Sequence, residues 1–153
     1  MKAEHIIIFL NSTINIFKEM TSVNLEVKNK TIKNVPVTTE EVGVIIGITG
    51  DLEGNIILNL SEKCCCSIAQ NMSGIEFKEY NELVESAISE LLNITMGKSC
   101  SVLEQQGLKV DITSPLTIRG IDVKLSVKYS PLISLQFICE NESIDLDLSV
   151  RAK

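Results

Sequence analysis

The residues best suited to chemistry in this chain lie in one stretch, SAISELLN at 86–93. It holds a hydroxyl at Ser86, a carboxylate at Glu90 and a carboxamide at Asn93, with Gly97 four residues further on. At about 100° per residue these four positions fall within roughly 60° of one another on a helix. Glu79 and Glu82 extend the stripe backwards and Glu104 extends it forwards, making an acidic, polar ridge. Every surface helix has a polar side, so a plain solvated face is the simplest reading. Asn and Gly pull against that reading, because both are poor helix formers and neither is needed for solvation. Gly97 also leaves the surface bare where another backbone could approach closely. The ridge therefore reads as a docking face. The chain contains no nucleophile triad, no reactive-cysteine loop, no Gly-rich phosphate loop and no two-metal carboxylate set.

The ridge needs a helix to carry it, and the periodicity predicts one over 79–106, ending near Gly107. Val84, Ile88, Leu91 and Val102 share its other side, flanked by Ala87, Leu92, Ile94 and Leu103, as a predicted core face. Ala3, Ile7, Leu10, Ile14 and Phe17 predict a first helix over 3–21, and residues 23–34 carry a weak strand signal. Val42–Thr49 is β-branched, GDLEGN at 50–55 is turn chemistry, and Ile56, Leu58 and Leu60 alternate, which together predict a hairpin. Ser61 and Gly74 are the cap residues of a short helix over 62–73. Beyond the long helix the period changes to two, in 121–127, 133–139 and 144–150, which predicts antiparallel strands with one face buried. The order suggests an α/β (α+β) fold, a two-layer sandwich with helices on one face of a mainly antiparallel sheet.

Bulk properties narrow the partners. At 153 residues the chain suits one domain spanning 1–153, and with 4% aromatics and no Trp its core must be Ile, Leu and Val. A net charge of −6 argues against nucleic acid and anionic lipid as ligands. The early apolar run Ile6–Leu10 is too short to enter a bilayer as a span, and Glu4 and His5 before it do not suit a signal peptide. The cytoplasm is the expected compartment. Cys64, Cys65, Cys66, Cys100 and Cys139 show no CxxC spacing, and His5 is the single His. They read as packing residues in a reducing environment, and no metal site is expected.

The spacing Ser86, three residues, Glu90, two residues, Asn93, then Pro115 after 21 residues resembles the signature of the CheC/CheX/FliY chemotaxis phosphatases, closest to its CheX branch. A second Glu-x-x-Asn, at Glu26 and Asn29, lacks the distant Pro. ITSPLTIRG at 112–120 resembles the segment after the family's active helix, and GDLEGNIILNLSE at 50–62 resembles its hairpin. The resemblance spans about 40–150 and implies a CheC-like fold with one active helix per chain. It implies hydrolysis of the aspartyl phosphate of a CheY-like response regulator, with Asn93 positioning water and Glu90 meeting the regulator's active-site Lys. Ser86, Gly97 and Pro115 would border the contact. The chain would need no cofactor of its own, with Mg²⁺ held by the regulator, and it would form a homodimer. The other reading is a non-catalytic module that binds a regulator or a flagellar motor protein.

Overall fold

The computed structural model describes residues 1–153. Helix α1 spans Ala3–Thr21, strand β1 Glu26–Lys33, β2 Val37–Thr38, β3 Val42–Gly50 and β4 Leu52–Leu60. Helices α2 (Glu62–Ser73) and α3 (Glu82–Gln105) follow, then β5 (Val110–Ile112), β6 (Leu116–Arg119), β7 (Lys124–Leu125), β8 (Leu132–Cys139) and β9 (Glu142–Ala152). The main sheet has the order β1-β8-β9-β4-β3, and β5 and β6 both pair along the outer edge of β3. All of its pairings are antiparallel.

Local chemistry sets the boundaries near the site. The β3–β4 hairpin runs in register from Val42 opposite Leu60 to Ile48 opposite Gly54. Gly54 has φ +144°, and a Cβ there would collide with the Ser149 carbonyl of β9, so this close approach requires glycine. Ser61 Oγ accepts from the Cys64 N–H at 3.0 Å to start α2, and Gly74 ends it with φ +74°. Helix α3 starts at Glu82 rather than at 79. Asn81 is extended there, and its side chain accepts from the Val84 N–H at 3.0 Å, a cap that competes with a further helical turn.

A core of 34 buried side chains fills the space between the three helices and one face of the sheet. The helical faces that line it differ from those read off hydropathy. On α1 the buried side includes Ile6, Phe9, Thr13, Ile16 and Phe17, while Ile7 is 52% exposed and Ala3 is also exposed. On α3 it includes Thr95 and Ser99, while Ile94 is 36% exposed and Val102 only half-buried. The cause is the same in both helices. The Thr13, Thr95 and Ser99 hydroxyls donate to the carbonyls of Phe9, Leu91 and Thr95, one turn back. A hydroxyl satisfied in that way enters a core at little cost, so a polar residue type hides a buried position.

The 121–127 alternation does not add a strand to the main sheet. Only Lys124–Leu125 pairs, with Val37–Thr38 of β2, as a separate two-stranded ribbon. Leu125 and Val37 then bury against Ile57 and Leu132 on the sheet face away from the helices. Alternation reports that one side of a segment is covered, and here the cover is the back of the sheet. On that same face Lys33 of the edge strand β1 reaches Asp145 at 2.7 Å and Asp147 at 3.2 Å on β9. Burial works against its charge, but the two carboxylates hold the Lys33 amine above its ordinary pKa.

Candidate functional site

Helix α3 presents the ridge to solvent. Ser86, Glu90 and Glu104 are exposed, and Asn93 and Gly97 are half-buried. Glu79 and Tyr80 precede the helix, so the ridge extends backwards only to Glu82. Glu90 joins none of the chain's ion pairs, which involve Glu4, Glu53, Glu62, Glu142, Asp145 and Asp147 as the acids. The Asn93 amide makes no hydrogen bond within the chain, yet it is not a buried orphan. Both groups are thus open to a second molecule, about 4.5 Å apart along the helix axis by the standard rise. A Cβ on Gly97 would meet nothing within 4 Å, so the space beside it belongs to no part of this chain.

Pro115 immediately precedes β6, and β6 packs on the helix. Ser89 Oγ and Thr117 Oγ1 lie 3.1 Å apart, which seats β6 against one flank of α3. Arg119, two residues on, stacks over the Tyr80 ring at 4.5 Å and bonds Glu62 Oε1 at 2.6 Å, which places it toward the start of α3. Upstream, Gly47 N–H donates to Thr113 Oγ1 at 2.8 Å and ties the same segment to β3. The sequence pattern missed β5 and β6 as strands. Their signal is weak because Pro115 interrupts a run of only ten residues, 110–119.

The site is convex. The largest cleft, about 810 Å³ between α2 and Arg119, is lined by Glu62, Cys66, Tyr80 and Arg119 among others and includes neither Glu90 nor Asn93. A ridge without its own pocket cannot enclose a small substrate, but it can enter the pocket of a partner. No group of three or more His, Cys, Asp or Glu side chains is placed to hold a metal ion. Of the cysteines, Cys64 and Cys65 lie on the buried side of α2, and burial with neighbouring acids pushes the Cys65 thiol far above its ordinary pKa. Cys100, on α3, is raised to about 11 chiefly by burial. Thiols held protonated in this way are poor nucleophiles.

Residues 42–137 match the family model described as chemotaxis phosphatase CheX. A curated relative, the CheY-P phosphatase CheX of Thermotoga maritima, is 37% identical over 110 residues, covering 71% of this chain and 70% of the relative. This chain belongs to the CheX family. The family's fold is repeated in solved structures. CheX from Vibrio vulnificus superposes with a TM-score of 0.87 at 24% identity, covering 97% of this chain and 100% of the other. A CheC-like protein from a Shewanella species superposes at 0.90 with 21% identity, covering 99% and 100%. Borrelia burgdorferi CheX, solved in complex with CheY, BeF₃ and Mg²⁺, superposes at 0.85 with 24% identity, covering 98% and 99%. In this CheX-family chain the Glu90–Asn93 ridge is the exposed face of the longest helix.

Proposed function

We propose that this chain is a CheX-type phosphatase, with residues 1–153 as a single domain, that hydrolyses the aspartyl phosphate of a CheY-like response regulator. The observation that carries the reading is the pair Glu90 and Asn93, one turn apart on a convex helix face, with no partners inside the chain. An aspartyl phosphate is a mixed anhydride and is already activated toward water. The catalyst has to hold one water in line with the phosphorus, opposite the carboxylate that leaves. The Asn93 carboxamide suits this task, because its oxygen accepts from the water and its nitrogen donates toward a phosphoryl oxygen. A carboxylate in the same place would be repelled by those oxygens. Attack forms the new P–O bond, the bond to the aspartyl oxygen breaks, and inorganic phosphate and the regulator's free Asp result.

Glu90 takes the docking role, pairing with a Lys beside the regulator's phosphorylated Asp. Ser86, Gly97 and Pro115 border that contact. The chain supplies no cofactor, and the Mg²⁺ belongs to the regulator's acidic pocket. The Borrelia CheX–CheY complex, which contains Mg²⁺, supports this division. No helix is long and apolar enough to cross a membrane, and we place the protein in the cytoplasm with its regulator. We also propose a homodimer formed along β1. Strand β1 is an edge whose outer backbone groups have no ladder partner, and its Val27 and Ile32 are 49% and 75% exposed. Such an edge is usually covered.

The test is the decay of a radiolabelled, phosphorylated CheY-like regulator with and without this protein. Accelerated release of inorganic phosphate is the expected result. Binding without acceleration would leave the non-catalytic module as the correct reading.

A further inference from the structure

Helix α3 carries a second strip next to the polar one, and it is apolar. The molecule leaves eight large apolar side chains exposed, and two of them, Leu83 at 65% and Ile94 at 36%, lie on this helix. At about 100° per residue Leu83, Ala87 and Ile94 fall within roughly 40° of one another. Glu90 lies on their boundary with Ser86, Asn93 and Gly97. The two strips run side by side, and the apolar one is about 16 Å long by the helical rise.

Ala87 packs against the edge of the main core, but Leu83 and Ile94 lie outside that core. The core side of α3 is already filled by Val84, Ile88, Leu91, Thr95 and Ser99. Strand β6 covers the other flank, through Ser89 and Thr117. Leu83 and Ile94 thus bracket Glu90 along the helix on the side that β6 leaves open. We propose that Leu83 and Ile94, with Ala87 between them, form the apolar half of the surface that receives the phosphorylated domain of a CheY-like regulator. They set affinity and partner choice, while Asn93 and Glu90 handle the phosphoryl group. This rests on the function proposed above. The occupant is argued from continuity, since a protein seated on Glu90 and Asn93 must also lie over the adjacent strip. Aliphatic contacts around a polar centre exclude bulk water and raise the value of the polar contacts they surround. The regulator should therefore present an apolar patch beside its acidic phosphorylation pocket.

The experiment uses the 1–153 chain and a CheY-like regulator encoded by the same genome. Wild type, the Leu83→Ala/Ile94→Ala double variant, Leu83→Lys and the conservative Leu83→Met/Ile94→Met are compared in steady-state turnover of the phosphorylated regulator. Their Kd values are measured by calorimetry with the regulator loaded with beryllofluoride and Mg²⁺. The Ala double variant is expected to raise KM and Kd on the order of ten-fold, with kcat within about two-fold of wild type. Melting temperatures should move by only a few degrees, because Leu83 is mostly exposed and Ile94 lies outside the main core, and the Met variant should stay near wild type. Unchanged KM and Kd in both the Ala double variant and Leu83→Lys would overturn the inference, as would a loss confined to kcat. A wild-type protein that binds without hydrolysing overturns the phosphatase reading instead, and the Kd comparison still decides the docking strip. A wild-type protein that does not bind the loaded regulator overturns both.

Discussion

Asn93 and Glu90 are one turn apart, yet their proposed roles separate under substitution. Asn93→Ala removes the amide that orders water and leaves the acidic ridge intact. Turnover should fall by a factor on the order of ten to a thousand, with little change in binding to beryllofluoride-loaded regulator. Glu90→Ala removes the charge that meets the regulator's Lys, so both binding and turnover should weaken, and binding should lose part of its salt dependence. Paired titrations and single-turnover decays distinguish the two, and wild-type turnover by Asn93→Ala would end the water-positioning mechanism. Gly97 offers an independent check at the same scale. It costs α3 stability relative to Ala, by about 1 kcal/mol in a helix interior. Since an added Cβ meets nothing in this chain, Gly97→Ala should raise the melting temperature while it weakens docking. A variant more stable and equally well docked would show that the bare surface at Gly97 serves no partner.

At the scale of elements, the site depends on where α3 begins and on what lies along its flank. Asn81 is the N-cap, and Asn81→Ala should destabilise the protein by about 1 kcal/mol, read as a lower denaturation midpoint. Glu90 and Asn93 lie more than a turn inside the helix, so kcat at saturating regulator should be nearly unchanged. Helix α2 behaves differently. Its Cys64 and Cys65 pack in the main core, and Ser67 and Asn71 hydrogen-bond Glu140 at the β8–β9 turn. Replacing Cys64, Cys65 and Cys66 together by Ala should leave phosphatase activity within a few-fold, because none of them lies on the ridge, while stability falls through lost packing. Stoichiometric metal in the purified protein, lost together with activity in that variant, would contradict the packing role.

For the whole molecule, sedimentation equilibrium at micromolar concentration should give twice the chain mass of 16.9 kDa. Ile32→Lys places a charge on the exposed face of β1 and should shift the mass toward monomer. A monomeric wild type would remove the proposed dimer without touching the site on α3. Acid should also find a specific weakness in the fold. His5 is 5% exposed, its Nδ1 has no hydrogen-bond partner, and burial depresses its pKa despite the opposing charge of Glu4. The unfolded state then binds a proton that the folded state resists. Stability is full above about 6.5, the unfolded pKa, and falls as pH drops below it toward the depressed folded value, with a slope of at most about 1.4 kcal/mol per pH unit. Denaturant midpoints between pH 7.5 and 5.5 should fall less steeply in His5→Leu than in wild type.

The sequence by itself determined what depends on neighbours a few residues apart. Ser61 and Gly74 delimit α2 through contacts within one turn. The stretch GDLEGN marked the reversal between β3 and β4, though its residues 52–55 belong to β4 and pair with β9. The 100° step of a helix was enough to align Ser86, Glu90, Asn93 and Gly97, because that alignment needs no tertiary contact. Tertiary structure decided what depends on distant packing. It seated β6 against the flank of α3, through a Ser89–Thr117 contact between residues 28 apart. It sent Leu125 to the back of the sheet rather than into a strand of it, since alternation specifies a covered side and not the cover. It also turned α3 so that Thr95 and Ser99 enter the core while Ile94 stays partly in solvent. A hydroxyl that bonds its own helix loses little on burial, and hydropathy alone cannot register that bond.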